Sequence, residues 1–179
     1  MKTIRKIMTL AMAVAMSSGI SACRQVGQGA QKAEGNDTKT LVAYFSATGI
    51  TARAAQRIAN ETGGELHEIA PAEPYTAADL DWHDEQSRST VEMKDPKSRP
   101  AIKADSLDMA AYDVVYIGYP IWWGVAPRVI NTFIESHDLK GKRIVPFATS
   151  GGSGVDESVD ALKVSYPELD IEKGRLMND

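Results

Sequence analysis

The sequence predicts an α/β domain in which a parallel β-sheet is covered by helices on both faces. Short runs of apolar, β-branched and aromatic residues alternate with amphipathic segments, an order typical of strand–helix–strand units. One run, residues 114–119, is apolar throughout, as expected of a strand that is buried on both faces. In addition, loops rich in hydroxyl groups, tryptophan or glycine directly follow three of the runs.

Five segments of the chain are predicted to be strands. They are residues 41–45, 65–69, 114–119, 143–149 and 170–176. The second alternates apolar and polar residues, which indicates an edge strand. Pro146 removes one ladder donor from the fourth strand, and the fifth has the weakest pattern.

The segments between the strands predict helices. Residues 52–60 follow the first strand, and Pro127 begins a helix that continues to Ile134 with its apolar side chains on one face. Residues 155–162 form a similar stripe, whereas residues 74–99 are a polar helix-or-loop region of low periodicity.

The first 22 residues predict a signal peptide. Lys2, Arg5 and Lys6 precede an apolar run, residues 7–20, that is shorter than a normal membrane span. The run ends in Ile-Ser-Ala-Cys, which resembles the lipobox of bacterial lipoproteins and implies cleavage before Cys23 and lipid attachment to it. The alternative is an ordinary secretory signal in which Cys23 is incidental.

Residues 23–39 are therefore expected to be a lipid-carrying cysteine and a flexible, glycine-rich tether, and residues 40–179 a single domain. The expected location is the bacterial cell envelope, facing the periplasm or at the outer membrane. Arg24 is not the aspartate that retains many lipoproteins at the inner membrane, but the choice of membrane stays open.

Composition excludes several classes of function. Cys23 is the sole cysteine, so the domain is expected to hold no disulfide, cysteine nucleophile or thiolate metal site. The three histidines lack ligand spacing, and no metal is expected. The net charge is −4, and loss of the three leader cations, with no acidic residue, takes it to about −7. This charge argues against a nucleic-acid partner.

The loop after the first strand predicts an anion site. Its residues, Ser46-Ala47-Thr48-Gly49-Ile50-Thr51, offer hydroxyl donors at the N-terminus of a helix, where backbone N–H groups are free. No lysine is present, which excludes the phosphate loop of nucleotide triphosphatases and favours a phosphate monoester held by neutral donors. The alternative is ordinary helix capping.

The two later loops predict a flat ligand. Adjacent residues Trp122 and Trp123 follow the third strand, and an aromatic ligand is a natural stacking partner for such rings. The loop 149–154 has three glycines, which allow a close backbone approach. The alternatives are a tryptophan that fills the core and a flexible turn before a helix.

These three loops, in this order and each after a strand, resemble those of the flavodoxin family, in particular a short-chain branch found as bacterial secreted proteins and lipoproteins. The resemblance covers residues 40–176. It implies a doubly wound five-stranded parallel sheet in the order 2-1-3-4-5 that binds flavin mononucleotide (FMN).

The resemblance also implies a role for thirteen residues as cofactor contacts. The residues expected to hold the phosphate are Ser46, Thr48, Gly49, Ile50 and Thr51. Those expected to border the isoalloxazine ring are Pro120, Trp122, Trp123 and Gly124. Those expected to meet its other edge are Ser150, Gly151, Gly152 and Gly154.

One departure from the family concerns its final helix, for which the sequence has no room after residue 176. We therefore expect one face of the first and last strands to be uncovered, or to be filled by residues 74–99 or by a second subunit in a homodimer. A truncated gene product is an equal alternative.

The leading hypothesis is a lipid-anchored electron carrier that uses FMN, has no catalytic side chains and serves unidentified redox partner proteins. One alternative is an NAD(P)H-dependent reductase of quinones or nitro compounds, and another is a binding lipoprotein without cofactor. His83 and Arg53 are interpreted as surface residues and left out of the site.

Overall fold

A parallel β-sheet organises the part of the chain that the computed structural model describes, residues 38–178. The strands are β1 Thr40–Tyr44, β2 Glu65–Glu68, β3 Val114–Pro120, β4 Arg143–Thr149, β5 Asp170–Ile171 and β6 Arg175–Leu176. The helices are α1 Ile50–Thr62, α2 Arg88–Lys94, α3 Arg128–Ser136 and α4 Asp156–Ser165, with a 3-10 turn at Met109–Ala111.

The strand order is β2-β1-β3-β4-β5, and all pairs are parallel, which confirms the predicted topology. The predicted fifth strand forms as two pieces, since β5 and β6 pair with successive stretches of β4. Gly174 lies in the gap between them, and a Cβ there would come within 2.6 Å of Val155 and 2.7 Å of Val159. The edge strand therefore passes α4 at a point that has no room for a side chain.

Apolar side chains fill both faces of the sheet. The larger cluster joins the sheet to α3 and α4 through residues such as Phe133 and Leu162. In the smaller cluster, α1 packs on Val42 and Phe147, and Met177 adds partly buried cover.

The segment between β2 and β3 packs on the α3 face of the sheet. Arg99 donates two 2.8 Å hydrogen bonds to Glu135 of α3, and Thr132 donates to the Pro100 carbonyl. In addition, Tyr75 of this segment packs on Phe45, directly after β1, with the ring centroids 5.6 Å apart. Only residues 88–94 of this segment are α-helical.

No helix within residues 38–178 is long and apolar enough to cross a membrane. The predicted signal peptide, Cys23 and most of the predicted tether lie outside the described residues.

Asp105 connects two elements through two histidines. Its carboxylate oxygens lie 3.1 Å from His67 Nε2 on β2 and 3.1 Å from His137 Nε2 just after α3. Burial alone would raise the pKa of Asp105, but the hydrogen bonds from His137 and from the Leu107 N–H hold it below its usual range. The ionised carboxylate therefore stabilises the folded state.

Asp105→Ala is expected to lower the free energy of unfolding near neutral pH. A lowered pKa gives stability that is present above the ordinary carboxyl value of about 3.9 and lost as pH falls through the folded value. The deficit should therefore shrink in acid, which urea titrations across pH would measure. Asp81, which accepts a local backbone bond from His83, is the matched control. A deficit independent of pH would contradict this account.

Candidate functional site

A cavity of about 760 Å³ opens at the carboxyl ends of β1, β3 and β4. Parallel sheets of this type bind ligands at this edge, and the volume lies in the range of small-molecule sites. Its lining residues are Ala47, Thr48, Ile50, Thr51, Arg53, Leu80, Trp82, Ser89, Pro120, Ile121, Trp122, Trp123, Thr149, Ser150, Gly151 and Asn178. All three loops predicted from the sequence thus contribute to one concave surface.

The first loop holds the N-terminus of α1 open toward the cavity. Gly49 precedes the helix with a φ of 85°, a conformation that favours glycine, and no side chain caps the helix. Ser46 Oγ accepts the Gly49 N–H at 3.1 Å, so this serine shapes the loop rather than the first turn. The N–H groups and positive dipole end of α1 therefore suit an anion.

Two buried threonines join the first and third loops. The Thr51 and Thr149 hydroxyl oxygens lie 2.8 Å apart and share a hydrogen bond. Both residues line the cavity, and both are almost fully buried. Because β3 lies between β1 and β4, this bond ties together loops from two strands that are not neighbours.

The two adjacent tryptophans occupy the first two positions of a tight turn. Trp122 and Val125 exchange two backbone hydrogen bonds of 3.0 Å, and the residues between them, Trp123 and Gly124, have φ values of 47° and 81°. Two positive φ values characterise a type I′ turn. Trp123 is the one non-glycine residue with positive φ among those described, so a strained backbone supports this indole.

The two indoles have different surroundings. Trp122 packs edge-on against Phe45 and Tyr75, with ring centroids 5.6 Å and 5.3 Å away. Trp123 is 50% exposed although it lines the cavity. Trp122 therefore forms a fixed wall, and Trp123 offers a free ring face.

Tyr75 is held behind Trp122 by a charged pair on α2. The Arg88 guanidinium lies 4.1 Å from the centre of the Tyr75 ring and 2.7 Å from Glu92, and the Tyr75 hydroxyl donates to the same glutamate. Burial, reinforced by Glu92, raises the pKa of Tyr75 far above its ordinary value. The tyrosine thus stays neutral and fixes the wall.

The third loop is organised by Ser150. Its Oγ accepts the N–H groups of Gly152 and Ser153 at 3.1 Å and 2.7 Å, and its own N–H donates to Asn178 Oδ1 at 2.9 Å. Thr149, Ser150 and Gly151 line the cavity, whereas residues 152–154 of the loop are not among its lining residues.

Of the thirteen residues predicted as cofactor contacts, eight line the cavity. These are Thr48, Ile50, Thr51, Pro120, Trp122, Trp123, Ser150 and Gly151. The other five, Ser46, Gly49, Gly124, Gly152 and Gly154, belong to the same three loops but are not among the lining residues. Contact with a ligand remains a prediction for all thirteen.

Several of the residues that line the cavity were not predicted from the sequence. Leu80, Trp82 and Ser89 come from the segment between β2 and β3, and Asn178 follows β6. The one feature of the sequence that could have indicated these residues is Trp82, a tryptophan in an otherwise polar stretch. Arg53 also lines the cavity, whereas the His83 ring stacks on Trp82 outside the lining, at 3.4 Å between centroids.

The cavity has few charges of its own. Arg53 is the one ionisable side chain among the lining residues that the structure describes.

Tyr119 is fully buried at the end of β3. Burial raises its pKa to about 12, against a smaller opposing effect of the hydrogen bond with Ser158. Within residues 38–178, no group of three His, Cys, Asp or Glu side chains could hold a metal ion.

The fold and the site define a flavodoxin-like α/β protein with a ligand cavity. Residues 39–179 match the family model described as flavodoxin, and the chain belongs to the flavodoxin family. No curated protein matches the chain.

Three solved structures are similar over most of the domain. A protein of Bacteroides eggerthii described as a flavoprotein is 62% identical, with a TM-score of 0.78, covering 79% of this chain and 89% of that one. A Bacteroides uniformis flavoprotein is 58% identical, also with a TM-score of 0.78, over 79% and 90%. A Lactobacillus acidophilus flavoprotein, solved in complex with FMN, is 26% identical, with a TM-score of 0.66, over 78% and 93%.

Proposed function

We propose that this protein binds FMN in the cavity and transfers electrons. The observation that carries the proposal is the meeting, in one cavity, of a helix N-terminus without a side-chain cap, a half-exposed indole and a glycine loop. These features match a phosphate, an aromatic plane and a polar edge. The similar Lactobacillus acidophilus protein in complex with FMN supports the same ligand.

The residues present fit FMN by their chemistry. Thr48, Thr51 and the first N–H groups of α1 would hold the phosphate, and Trp123 would lie against the ring system. Bound FMN supplies reversible electron transfer, while the protein binds it, orients it and keeps water from it.

We take the electron carrier as the leading role and an NAD(P)H-dependent reductase of quinones or nitro compounds as the alternative. In both, the flavin itself would carry the redox chemistry. Steady-state oxidation of NAD(P)H with a quinone acceptor would instead identify the reductase.

The anchor is part of the proposal. The lipobox-like sequence before Cys23, followed by a polar tether of residues 24–39, would hold the domain close to an envelope membrane. Cys23→Ser should abolish the incorporation of labelled fatty acid into the full-length protein in cells. Unchanged labelling would contradict lipid attachment at this residue.

The flavin assignment is tested by a visible spectrum. The domain from Thr38 onward is purified, mixed with FMN and freed of unbound ligand. We expect a yellow protein in which flavin fluorescence is quenched by the neighbouring indole. A colourless product with unchanged flavin fluorescence would refute the proposal.

Trp123→Asn should separate ligand binding from folding. Asparagine adopts positive φ more readily than tryptophan, so the free energy of unfolding of the apoprotein should stay the same or rise by about 1 kcal/mol. Loss of stacking should weaken FMN binding about three- to tenfold. Fluorescence titration and urea unfolding measure the two quantities.

Trp122→Phe is the matched control for this variant. Trp122 packs on Phe45 and Tyr75, so the change should lower the stability of the apoprotein. If Trp123→Asn instead lost stability and kept its affinity, Trp123 would be a structural residue.

A further inference from the structure

Arg53 brings a positive charge to a cavity whose other described lining residues are neutral. It lies in the first turn of α1 and is exposed. Its backbone N–H is already used, since it donates to the Gly49 carbonyl at 3.2 Å. What Arg53 can offer a ligand is therefore its guanidinium, which has five N–H donors and keeps its charge.

The geometry of α1 brings the Arg53 side chain to the same end of the helix as the predicted anion site. Residues three apart share one face of a helix, and Ile50, three residues earlier, also lines the cavity. In an α-helix the Cα–Cβ bond is tilted toward the N-terminus, so a side chain covers the turn before its own Cα. For Arg53 that turn is the N-terminus of α1, which no side chain caps.

The charge of Arg53 is opposite to the one that would stabilise this helix end. The helix dipole favours acidic groups in the first turn and disfavours cations there. The first turn of α1 nevertheless has this arginine and no acidic residue. The helix dipole therefore gives no reason for a cation at this position, whereas an anionic ligand at the helix N-terminus does.

We propose that the Arg53 guanidinium pairs with the phosphate of FMN and makes the site select FMN over riboflavin, which has the same ring system but no phosphate. The inference rests on the proposed FMN binding and adds a charged contact to the neutral donors of Thr48 and Thr51. A phosphate monoester carries a charge of about −1.5 to −2 at neutral pH. The planar guanidinium can bind two of its oxygens and still contact the protein through its other donors.

Arg53→Gln tests the proposal by its different effects on two ligands. The Kd for FMN should rise about tenfold, since a charge-assisted contact to the phosphate is lost, and the Kd for riboflavin should stay the same. Arg53→Lys keeps the charge without the planar fork and should lose less affinity for FMN. Fluorescence titration of each apoprotein with both ligands measures the four constants, and thermal unfolding shows that the variants fold.

Salt provides a second measurement. Raising the ionic strength from about 0.1 M to about 1 M shortens the Debye length from about 10 Å to about 3 Å. This should weaken FMN binding to the wild-type protein, weaken it less in Arg53→Gln, and leave riboflavin binding unchanged in both proteins.

Arg57→Gln is the matched control. Arg57 lies one turn further along α1, where its guanidinium donates to the Met177 carbonyl at 3.2 Å, and it does not line the cavity. The variant removes the same charge from the same helix. It should leave the ratio of the two Kd values unchanged.

The remaining outcomes would count against the inference in separate ways. Unchanged FMN affinity in Arg53→Gln would overturn it, as would equal losses for FMN and riboflavin. If the variant did not fold, equal salt dependence of the two ligands in the wild-type protein would overturn it. Wild-type protein that binds both ligands equally well would retain the flavin site without this selectivity. Failure of the wild-type protein to bind FMN would refute the proposed function itself.

Discussion

Thr51→Val is expected to raise the Kd for FMN tenfold or more. Thr51 lies in the first turn of α1 and lines the cavity, and its hydroxyl shares the 2.8 Å hydrogen bond with Thr149. A hydrogen bond to a charged group contributes about 1.5–3 kcal/mol. Valine keeps the volume of the side chain, so the effect should reflect the lost hydroxyl. Isothermal titration of the apoprotein with FMN measures it.

One control variant and one parallel variant accompany Thr51→Val. Thr62→Val removes a hydroxyl from the other end of the same helix, where it donates to the Ile58 carbonyl, and should leave FMN affinity unchanged. Thr48→Ala should weaken binding by a similar amount to Thr51→Val, because it removes the other predicted phosphate donor of the loop. Full affinity in both loop variants would mean that the phosphate binds elsewhere.

Gly118→Ala is expected to lower the free energy of unfolding by about 3 kcal/mol. A Cβ on Gly118 would lie 2.0–2.7 Å from three ring atoms of Phe147, its partner across β3 and β4. Phe147 is fully buried, so relieving the clash would require a shift of its ring within the packed interior. Urea unfolding of the apoprotein measures the loss.

The same clash predicts a rescue. Adding Phe147→Leu to Gly118→Ala should recover part of the lost stability, although Phe147→Leu alone is destabilising, because the two residues share one space. Gly151→Ala is the control, since no atom lies within 4 Å of its added Cβ. Additive losses in the double variant would show that the ring is not the cause.

The sheet and the three loops could be predicted because local patterns encode them. Strands buried on both faces have apolar runs, and the carboxyl ends of parallel strands meet at one edge. In agreement with this rule, Thr48, Trp123 and Ser150, which follow three different strands, line one cavity. The divergence of the two tryptophans depends on a turn that Gly124 permits, so the sequence did not indicate which indole would face the ligand.

The missed residues lie where long-range contacts, rather than periodicity, determine the structure. The segment between β2 and β3 is held by the contacts of Arg88 with Tyr75 and Glu92 and by the pair formed by Arg99 and Glu135. The Arg88–Glu92 pair has the i,i+4 spacing of a helix. The contact of Arg88 with Tyr75 and the pair of Arg99 with Glu135, 36 positions apart, follow no helical or strand period. The contacts that hold this segment also determine that Trp82 and Ser89 line the cavity.

All three tryptophans of the chain line the cavity. The tryptophan fluorescence of the protein therefore comes entirely from this one region, and occupancy of the cavity can be followed without a label. A flavin placed there would accept the excitation energy of the indoles, so stopped-flow mixing with FMN should give association and dissociation rates directly. Tyrosine or circular dichroism signals are then the appropriate reporters for the folding of the sheet.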